Sequence, residues 1–275
     1  MTNLQKNIIN ILKYRFNKMN YLSATSAKKW ELMVRKVEFN SIFEKYGHNS
    51  FRNVLELGCG NGEHSFVLRK YCTHLIATEL NNNRLVQPKY VGNITFLIAD
   101  AENLSRFKNC NFDLVFSSNL LEHLLNVKNC LQECKRVIKK KGVIIHTVPT
   151  VTWKLANILF YYPMVLKMFI ERFFISKKAE LNRYYKNNFN LTKEKKSIIK
   201  TLLPSVHGIS SSNIEELLLF QERRWISLFE QEGLKVTEII RLPFYIGYNN
   251  NFIPFIKLGN SLDLHSCTAF ILKKC

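Results

Sequence analysis

The chain has 275 residues and a formal net charge of +19 at pH 7. Hydrophobic residues make up 47% and charged residues 22%, which excludes a disordered or fibrous chain and allows one full globular core. The positive excess would attract nucleic acid, anionic lipid or a phosphorylated substrate, although a chain rich in Lys, Asn and Ile throughout would carry it without any such partner.

The cysteines indicate a reducing compartment. There are seven of them, an odd number, and no two form a Cys-x-x-Cys pair. Cys130 and Cys134 share a helix face but lack further partners at zinc-ligand spacing, so no metal site is predicted. Free thiols in the cytoplasm are the simplest interpretation. The segment Met1–Lys18 has the spacing of an amphipathic helix interrupted by charges, which is not the pattern of a secretory signal.

Residues 1–47 predict a helical amino-terminal arm. Apolar side chains recur at steps of three and four over Leu4–Met19 and again over Trp30–Val37. Tyr46-Gly47 is expected to stop the second helix. We expect this arm to pack across the core or over a site of the main domain, which is predicted to span residues 48–275.

Strands and helices alternate between Phe51 and Pro149. Apolar strands are predicted at 53–57, 75–78, 94–99, 112–117 and 143–148, with helices at 63–71, 81–87 and 127–138. Short apolar strands separated by helices predict an α/β fold with a doubly wound parallel sheet covered on both faces. Ligands of such sheets bind at the carboxyl ends of the strands.

The pattern breaks at residues 150–205, which predict a helical insertion after the fifth strand. Residues 153–175 are rich in large apolar side chains, but Pro163 and several charges argue against a clean membrane span. A lid over the substrate and a helix lying in a membrane interface both fit this stretch. A helix at 213–232 and two closing strands at 234–242 and 266–272 follow, and we expect a mostly parallel sheet with an antiparallel closing strand.

The turn after the first strand predicts a ligand site. It reads Gly58-Cys59-Gly60-Asn61-Gly62, and its G-x-G-x-G spacing differs from the G-x-G-x-x-G of dinucleotide-binding turns. Glu79 ends the second strand, where a carboxylate can accept both hydroxyls of a ribose. Asp100 ends the third strand, where its side chain could reach an adenine amino group.

Together these stretches resemble the class I S-adenosylmethionine-dependent methyltransferases. The matching segments are Val54-Leu-Glu-Leu-Gly-Cys-Gly-Asn-Gly62, Thr78-Glu79, Ala99-Asp-Ala-Glu102, Phe112 through Glu122-His123-Leu124, and Glu133 into Pro149. The resemblance implies a Rossmann-like fold and S-adenosyl-L-methionine as cofactor. It places the turn of Gly58, Cys59, Gly60 and Gly62 at the methionine part, with Glu56 near the amino group. It also places Glu79 at the ribose, Asp100 and Ala101 at the adenine, and the backbone of Asn119 near the sulfonium. Leu80 and Glu102 are further candidates for cofactor binding. A helix-capping role for Glu102 is the alternative.

Three histidines are candidates for the acceptor side. His207 follows the insertion, where the resembled proteins place substrate contacts, and it is our first candidate for a general base. His123, in the Glu122-His123 pair, is the second. His146 lies in the fifth strand and is interpreted as a packed, hydrogen-bonded residue.

We therefore expect a methyltransferase that acts on oxygen of a small-molecule or glycan-type acceptor, such as a sugar or nucleotide-sugar. The layout around His207 and Trp225–Gly233 also resembles methyltransferases of bacterial surface-polysaccharide pathways. One alternative is a lipid or quinone methyltransferase that touches the inner face of a membrane through residues 153–175. A non-catalytic dinucleotide-binding module is another. An RNA methyltransferase is less favoured, because Ser118-Asn119-Leu120-Leu121 replaces the Asn/Asp-Pro-Pro-Tyr-like turn of base amino methylation, and nucleic acid is not expected as a partner.

Overall fold

The computed structural model of the protein describes residues 27–62, 64–85, 87–163, 165–166, 204, 206–246 and 253–275. The predicted helix at Leu4–Met19 and residues 167–203 of the predicted insertion lie outside these ranges. The proposed boundaries of the arm, the main domain and the insertion therefore stay predictions.

One eight-stranded sheet organises the described residues. Its strands are β1 (Phe51–Leu57), β2 (Cys72–Glu79), β3 (Tyr90–Val91), β4 (Ile94–Ile98), β5 (Phe112–Ser118), β6 (Ile138–Pro149), β7 (Leu234–Pro243) and β8 (His265–Lys274). They lie in the order β3-β4-β2-β1-β5-β6-β8-β7. Strand β3 has two residues, too few for the sequence to show an alternating pattern, and it was not predicted.

The central strands are parallel and the edges are not. Strands β4, β2, β1, β5 and β6 pair in parallel, while β8 lies antiparallel between β6 and β7 and β3 pairs antiparallel with β4. The predicted doubly wound, mostly parallel sheet with an antiparallel closing strand is confirmed. Because the parallel strands point the same way, the turns after β1, β2, β4, β5 and β6 meet at one edge of the sheet.

Helices cover both faces of this sheet. They are α1 (Ala27–Phe43), α2 (Ser65–Leu68), α3 (Val127–Val137), α4 (residues 151–163), α5 (Asn213–Leu219), α6 (Glu222–Gln231) and α7 (Ile253–Ser261). Among the described helices, none is long and apolar enough to cross a membrane.

Three helix predictions need correction. The helix predicted at 213–232 is two helices, because Gln221 adopts an extended backbone (φ −67°, ψ 126°) after the buried Phe220. The helix predicted at 81–87 is a turn in the described residues, where the Asn81 side chain accepts a hydrogen bond from the Asn83 amide and so competes with a helix. The helix predicted at 63–71 shrinks to α2 and the 3₁₀ turn Arg69–Tyr71.

The core is split between the two faces of the sheet. Helices α3 and α6 pack on one face, through residues such as Leu131 and Phe229. Helix α1 packs on the other, where Phe39 and Phe43 are buried and lie 5.1 and 5.6 Å from the ring of Phe116. The described part of the amino-terminal arm is thus fixed to the sheet by aromatic burial, with its earlier turns near the carboxyl edge of the strands.

Candidate active site

A cavity of about 910 Å³ lies at the carboxyl edge of the parallel strands. It is bounded by the turns after β1, β2, β5 and β6, by α1 and α4, and by the segments around residues 207 and 245. Its lining residues are Val34, Arg35, Gly58, Cys59, Gly60, Asn61, His64, Glu79, Arg84, Ser118, Asn119, Leu120, His123, Pro149, Trp153, His207, Tyr245 and Ile246.

The three glycines of the turn after β1 have different tasks. All three have positive φ, which favours glycine. A Cβ on Gly58 would lie 2.7 Å from Leu120 Cδ1, and one on Gly62 would lie 2.6 Å from Phe96 Cε1. A Cβ on Gly60 would meet only Arg84 Nη2, at 3.7 Å. Gly58 and Gly62 therefore permit close packing, whereas Gly60 presents bare backbone to the cavity.

Glu79 joins this turn to the end of β2. Its carboxylate is buried, accepts hydrogen bonds from the amides of Gly60 at 2.9 Å and Asn81 at 3.1 Å, and lines the cavity. Each carboxylate oxygen offers two acceptor positions, so both can still accept from hydroxyl groups of a ligand. The acid predicted at the ribose is thus held firmly where a nucleoside could reach it.

Glu56 and Cys59 lie at the same turn but differ in their access. Glu56 is buried behind the turn, outside the cavity lining, and accepts a hydrogen bond from Ser65 Oγ at 2.5 Å. Burial raises the pKa of Glu56 to about 7, against the opposing effect of the Ser65 hydrogen bond. Cys59 lines the cavity, and burial, followed by the charges of Glu56 and Glu79, raises the pKa of its thiol far above the usual range.

The residues predicted at the adenine lie beyond the cavity lining. Asp100 is exposed and accepts a hydrogen bond from the Glu102 amide at 2.8 Å, and Ala101 is buried. Leu80, another predicted cofactor residue, is largely exposed and also lies outside the lining. Glu102 accepts from the amide of Asn126, the residue that caps α3, at 2.9 Å. Glu102 thus stabilises the start of α3, in agreement with the alternative of a helix-capping role. The contacts with adenine stay predictions.

Asn119 links the predicted cofactor end to helix α1. It has a positive φ of 49°, and its amide donates to Thr147 O at 2.9 Å, so a backbone contact with a ligand would use its carbonyl. With the side-chain oxygen of Asn119 turned toward Arg35, that oxygen accepts from both Nη atoms at 3.0 Å. Glu38 holds Arg35 at 2.7 Å. Sequence reasoning missed Arg35, because its approach to Asn119 depends on how α1 packs against the sheet.

The two predicted catalytic histidines come together in the lining of the cavity. The rings of His123 and His207 lie 4.7 Å apart, edge to face. Oε1 of the fully buried Glu122 lies 3.8 Å from His123 Nε2 and 3.6 Å from His207 Nε2. Burial lowers the pKa of His123. The neighbouring His207 and Arg84 lower this pKa further, whereas the charge of Glu122 raises it. This group can accept or bind a proton next to a substrate.

Backbone contacts hold His207 in this position. Gly208 has φ 85°, a Cβ on it would lie 2.4 Å from Glu122 O, and Ile209 N donates to that oxygen at 3.3 Å. The His207 amide donates to Glu216 Oε1 at 2.7 Å, and Glu216 in turn forms a buried ion pair with Lys154 of α4.

His146 is separate from this group. It is fully buried, its Nδ1 lies 2.7 Å from Ser117 Oγ, and its ring stacks near Phe229 at 6.1 Å. Its side chain belongs to the core, in agreement with the interpretation as a packed histidine.

Residues 55–146 match the protein family described as "Methyltransferase domain". Two curated relatives are MJ1252, an uncharacterized protein of Methanocaldococcus jannaschii (34% identity, 38% of this chain, 41% of the relative), and demethylmenaquinone methyltransferase of Thermotoga maritima (27% identity, 45% of this chain, 58% of the relative). The chain thus spans about half the length of the curated relatives it matches.

The fold extends further than these matches. A solved structure from Listeria monocytogenes, a proposed S-adenosylmethionine-dependent methyltransferase, aligns over 88% of this chain and 98% of its own, with a TM-score of 0.53 and 11% identity. That likeness concerns the fold alone. Residues 55–146 are therefore similar to methyltransferase domains, and S-adenosylmethionine is the cofactor that this similarity implies.

Proposed function

We propose that the protein transfers a methyl group from S-adenosylmethionine to a hydroxyl group of a glycan-type or other small-molecule acceptor, such as a sugar or nucleotide-sugar of a surface-polysaccharide pathway. One observation carries the proposal. One cavity is lined by the glycine turn and the buried acid Glu79, which we call the cofactor end, and by His123 and His207 beside the buried Glu122, which we call the acceptor end. The predicted cofactor residues and two candidate bases therefore open into the same cavity.

The residues at the first end fit the cofactor. The volume of about 910 Å³ is within the range of sites for molecules of this size, with room for an acceptor. Gly60 offers bare backbone, and Glu79 offers a carboxylate to the ribose. S-adenosylmethionine would supply a methyl group that its sulfonium already makes electrophilic.

At the other end, the chain has to orient a hydroxyl group and remove its proton. His207 is the first candidate for the base, because its ring faces the cavity and Glu122 would stabilise the protonated ring. His123 is the second candidate, and its lowered pKa keeps that ring neutral at neutral pH. The imidazole would accept the hydroxyl proton, and S-adenosylmethionine would supply the methyl group to the oxygen as its carbon–sulfur bond breaks and the electron pair stays on sulfur.

Charge and shape of the cavity support a phosphorylated sugar. The guanidinium groups of Arg35 and Arg84 line it, and guanidinium groups match phosphate oxygens in a bidentate fashion. Trp153 lines the same end as His207, with its ring 5.1 Å from the imidazole, and offers a flat apolar surface.

The test is methyl transfer from radiolabelled S-adenosylmethionine to a panel of sugar nucleotides, lipid-linked glycans, demethylated quinones and RNA. We expect label in a sugar nucleotide or glycan, and loss of that activity in His207→Gln. Cofactor binding is measured first, by calorimetry. Binding of NAD but not of S-adenosylmethionine would overturn the proposal. Label in RNA alone would identify another acceptor class.

A lipid or quinone acceptor is the second candidate, and one observation favours it. Leu155, Leu159, Tyr162 and Leu166 recur at helical spacing after β6 and are each at least half exposed. Such a row could lie in the inner face of a membrane. Flotation of the protein with anionic liposomes, lost on Leu159→Glu, would support this candidate, while no flotation together with labelled sugar would remove it.

A further inference from the structure

Glu122 is an unusual residue within this site. Its side chain is fully buried, and neither carboxylate oxygen has a hydrogen-bond partner among the described residues. A buried carboxylate without a hydrogen bond or a close cation is costly, and native structures rarely keep one. The two nearest imidazole nitrogens, at 3.6 and 3.8 Å, are too distant for hydrogen bonds. A cation located between the carboxylate and these two rings would remove that cost.

The three side chains have the spacing of a metal site. Donor atoms of Glu122, His123 and His207 all lie within 4.8 Å of one another. A metal ion bound at about 2.0–2.2 Å from each donor would separate them by about 3–3.5 Å. The two measured oxygen–nitrogen distances exceed that range by only a few tenths of an ångström, and the two imidazoles can rotate because their side chains are about 40% exposed (42% and 39%).

We infer that Glu122, His123 and His207 bind one divalent transition-metal ion, such as Zn²⁺, at the acceptor end of the cavity. Two imidazole nitrogens with one carboxylate oxygen form a donor set that suits zinc, cobalt and iron better than magnesium or calcium. Three protein ligands leave at least one position open toward the cavity, for water or a substrate oxygen.

The fold brings the third ligand to the first two by backbone contacts. Glu122 and His123 lie on the 3₁₀ turn Leu121–His123 after β5. The segment of His207 is held against that turn by the hydrogen bond from Ile209 N to Glu122 O, and Gly208 allows the close approach of the two backbones. The sequence did not predict this site, because adjacent Glu and His with a remote second His have no recognised ligand spacing.

The role of the ion rests on the proposed function. As a Lewis acid it would lower the pKa of an acceptor hydroxyl group, so that the proton leaves to solvent water. The acceptor oxygen then forms a bond to the methyl carbon as the carbon–sulfur bond breaks, and the electron pair of that bond stays on sulfur. His207 is then a ligand, and the ion takes over the task of the base.

The experiment measures metal binding without cofactor or acceptor. Untagged full-length protein is dialysed against Zn²⁺ or Co²⁺, bound metal is counted by mass spectrometry, and Co²⁺ is followed by its visible absorption. We expect one ion per chain and a loss of affinity of about 100-fold or more in Glu122→Gln and in His207→Gln. His207→Gln changes a part-exposed side chain on a loop, so it tests the site even if Glu122→Gln fails to fold. His74→Gln, at an exposed histidine of β2, is the matched control and should bind as wild type.

Two results would overturn the site. One is less than one ion per chain at saturation, and the other is equal affinity in wild type and in a folded His207→Gln variant. Binding of Mg²⁺ but not of Zn²⁺ or Co²⁺ would overturn the assigned donor chemistry. Metal binding without any methyl transfer would refute the proposed function and leave the metal site intact. If the protein binds no ion and chelators do not alter its methyl transfer, the metal site is refuted and the proposed function stands.

Discussion

The two ends of the cavity are built in different ways. The predicted cofactor end draws mainly on two nearby elements, the turn of Gly58–Gly62 and Glu79 at the end of β2, together with Asn119 after β5; backbone conformation and one carboxylate do most of the positioning there. The acceptor end combines Arg35 of α1, the turn after β5, Trp153 of α4 and the segment of His207. Elements that are near in the chain fix most of the first end, while long-range contacts between separate elements fix the second.

This difference has a consequence for substitutions. Changes at the acceptor end should act through packing and buried charge on several elements at once, whereas removal of the Glu79 carboxylate at the cofactor end should act mainly on one ligand. Measurements of stability, cofactor affinity and acceptor kinetics can therefore separate the two ends.

The largest effect is expected at the buried ion pair of Lys154 and Glu216, which anchors the segment of His207. Lys154→Met leaves the Glu216 carboxylate buried without its cation, and we expect the free energy of unfolding to fall by about 3–5 kcal/mol in urea titrations. Adding Glu216→Leu removes the stranded charge and should restore much of the stability. If the single variant is as stable as wild type, the ion pair does not anchor the acceptor end.

The next effect concerns pH and the cofactor end. The pKa of Glu56 is raised from 4.5 to about 7 by burial, so the folded protein binds this proton more tightly than the unfolded chain. The tighter proton binding of Glu56 stabilises the folded protein fully below about pH 4.5, and this stabilisation is lost as the pH rises through about 7. The free energy of unfolding should fall by about 3 kcal/mol over that range. Urea unfolding between pH 5 and 8 should show Glu56→Gln gaining stability relative to wild type as pH rises. Parallel curves for the two proteins would contradict the raised pKa.

The same difference explains what the sequence could predict. The parallel strands, the glycine turn and Glu79 follow from apolar runs and residue types within short windows, and the structure has them where expected. Arg35 could not be placed, because its approach to Asn119 depends on how α1 packs across the sheet. The sequence pattern also extended one helix through Gln221, since apolar spacing continues across the break. Structure that follows from local residue patterns can be predicted from the sequence, whereas contacts between distant segments cannot.

At the cofactor end, Glu79 provides the direct test of ligand contact. Glu79→Ala would remove the charged hydrogen bonds expected to the ribose, and it also frees the amides of Gly60 and Asn81. We expect the affinity for S-adenosylmethionine, measured by calorimetry, to fall by about 1–3 kcal/mol. Glu44→Ala, at an exposed acid just after α1, should change nothing. Wild-type affinity in Glu79→Ala would show that the ribose lies elsewhere.

The smallest effect on ligand binding is expected at Arg35, and it tests whether α1 belongs to the cofactor end or to the acceptor end. Arg35 touches Asn119 of the predicted cofactor site, yet it enters from α1 and carries a positive charge that faces the cavity. Arg35→Gln should raise the KM for an anionic acceptor by about fivefold to tenfold, close to 1 kcal/mol, with little change in the Kd of S-adenosylmethionine. Lys36→Gln, the exposed neighbour on α1, should leave both constants unchanged. A weakened cofactor with an unaltered acceptor KM would instead assign α1 to the cofactor end, because the guanidinium would then act by holding Asn119.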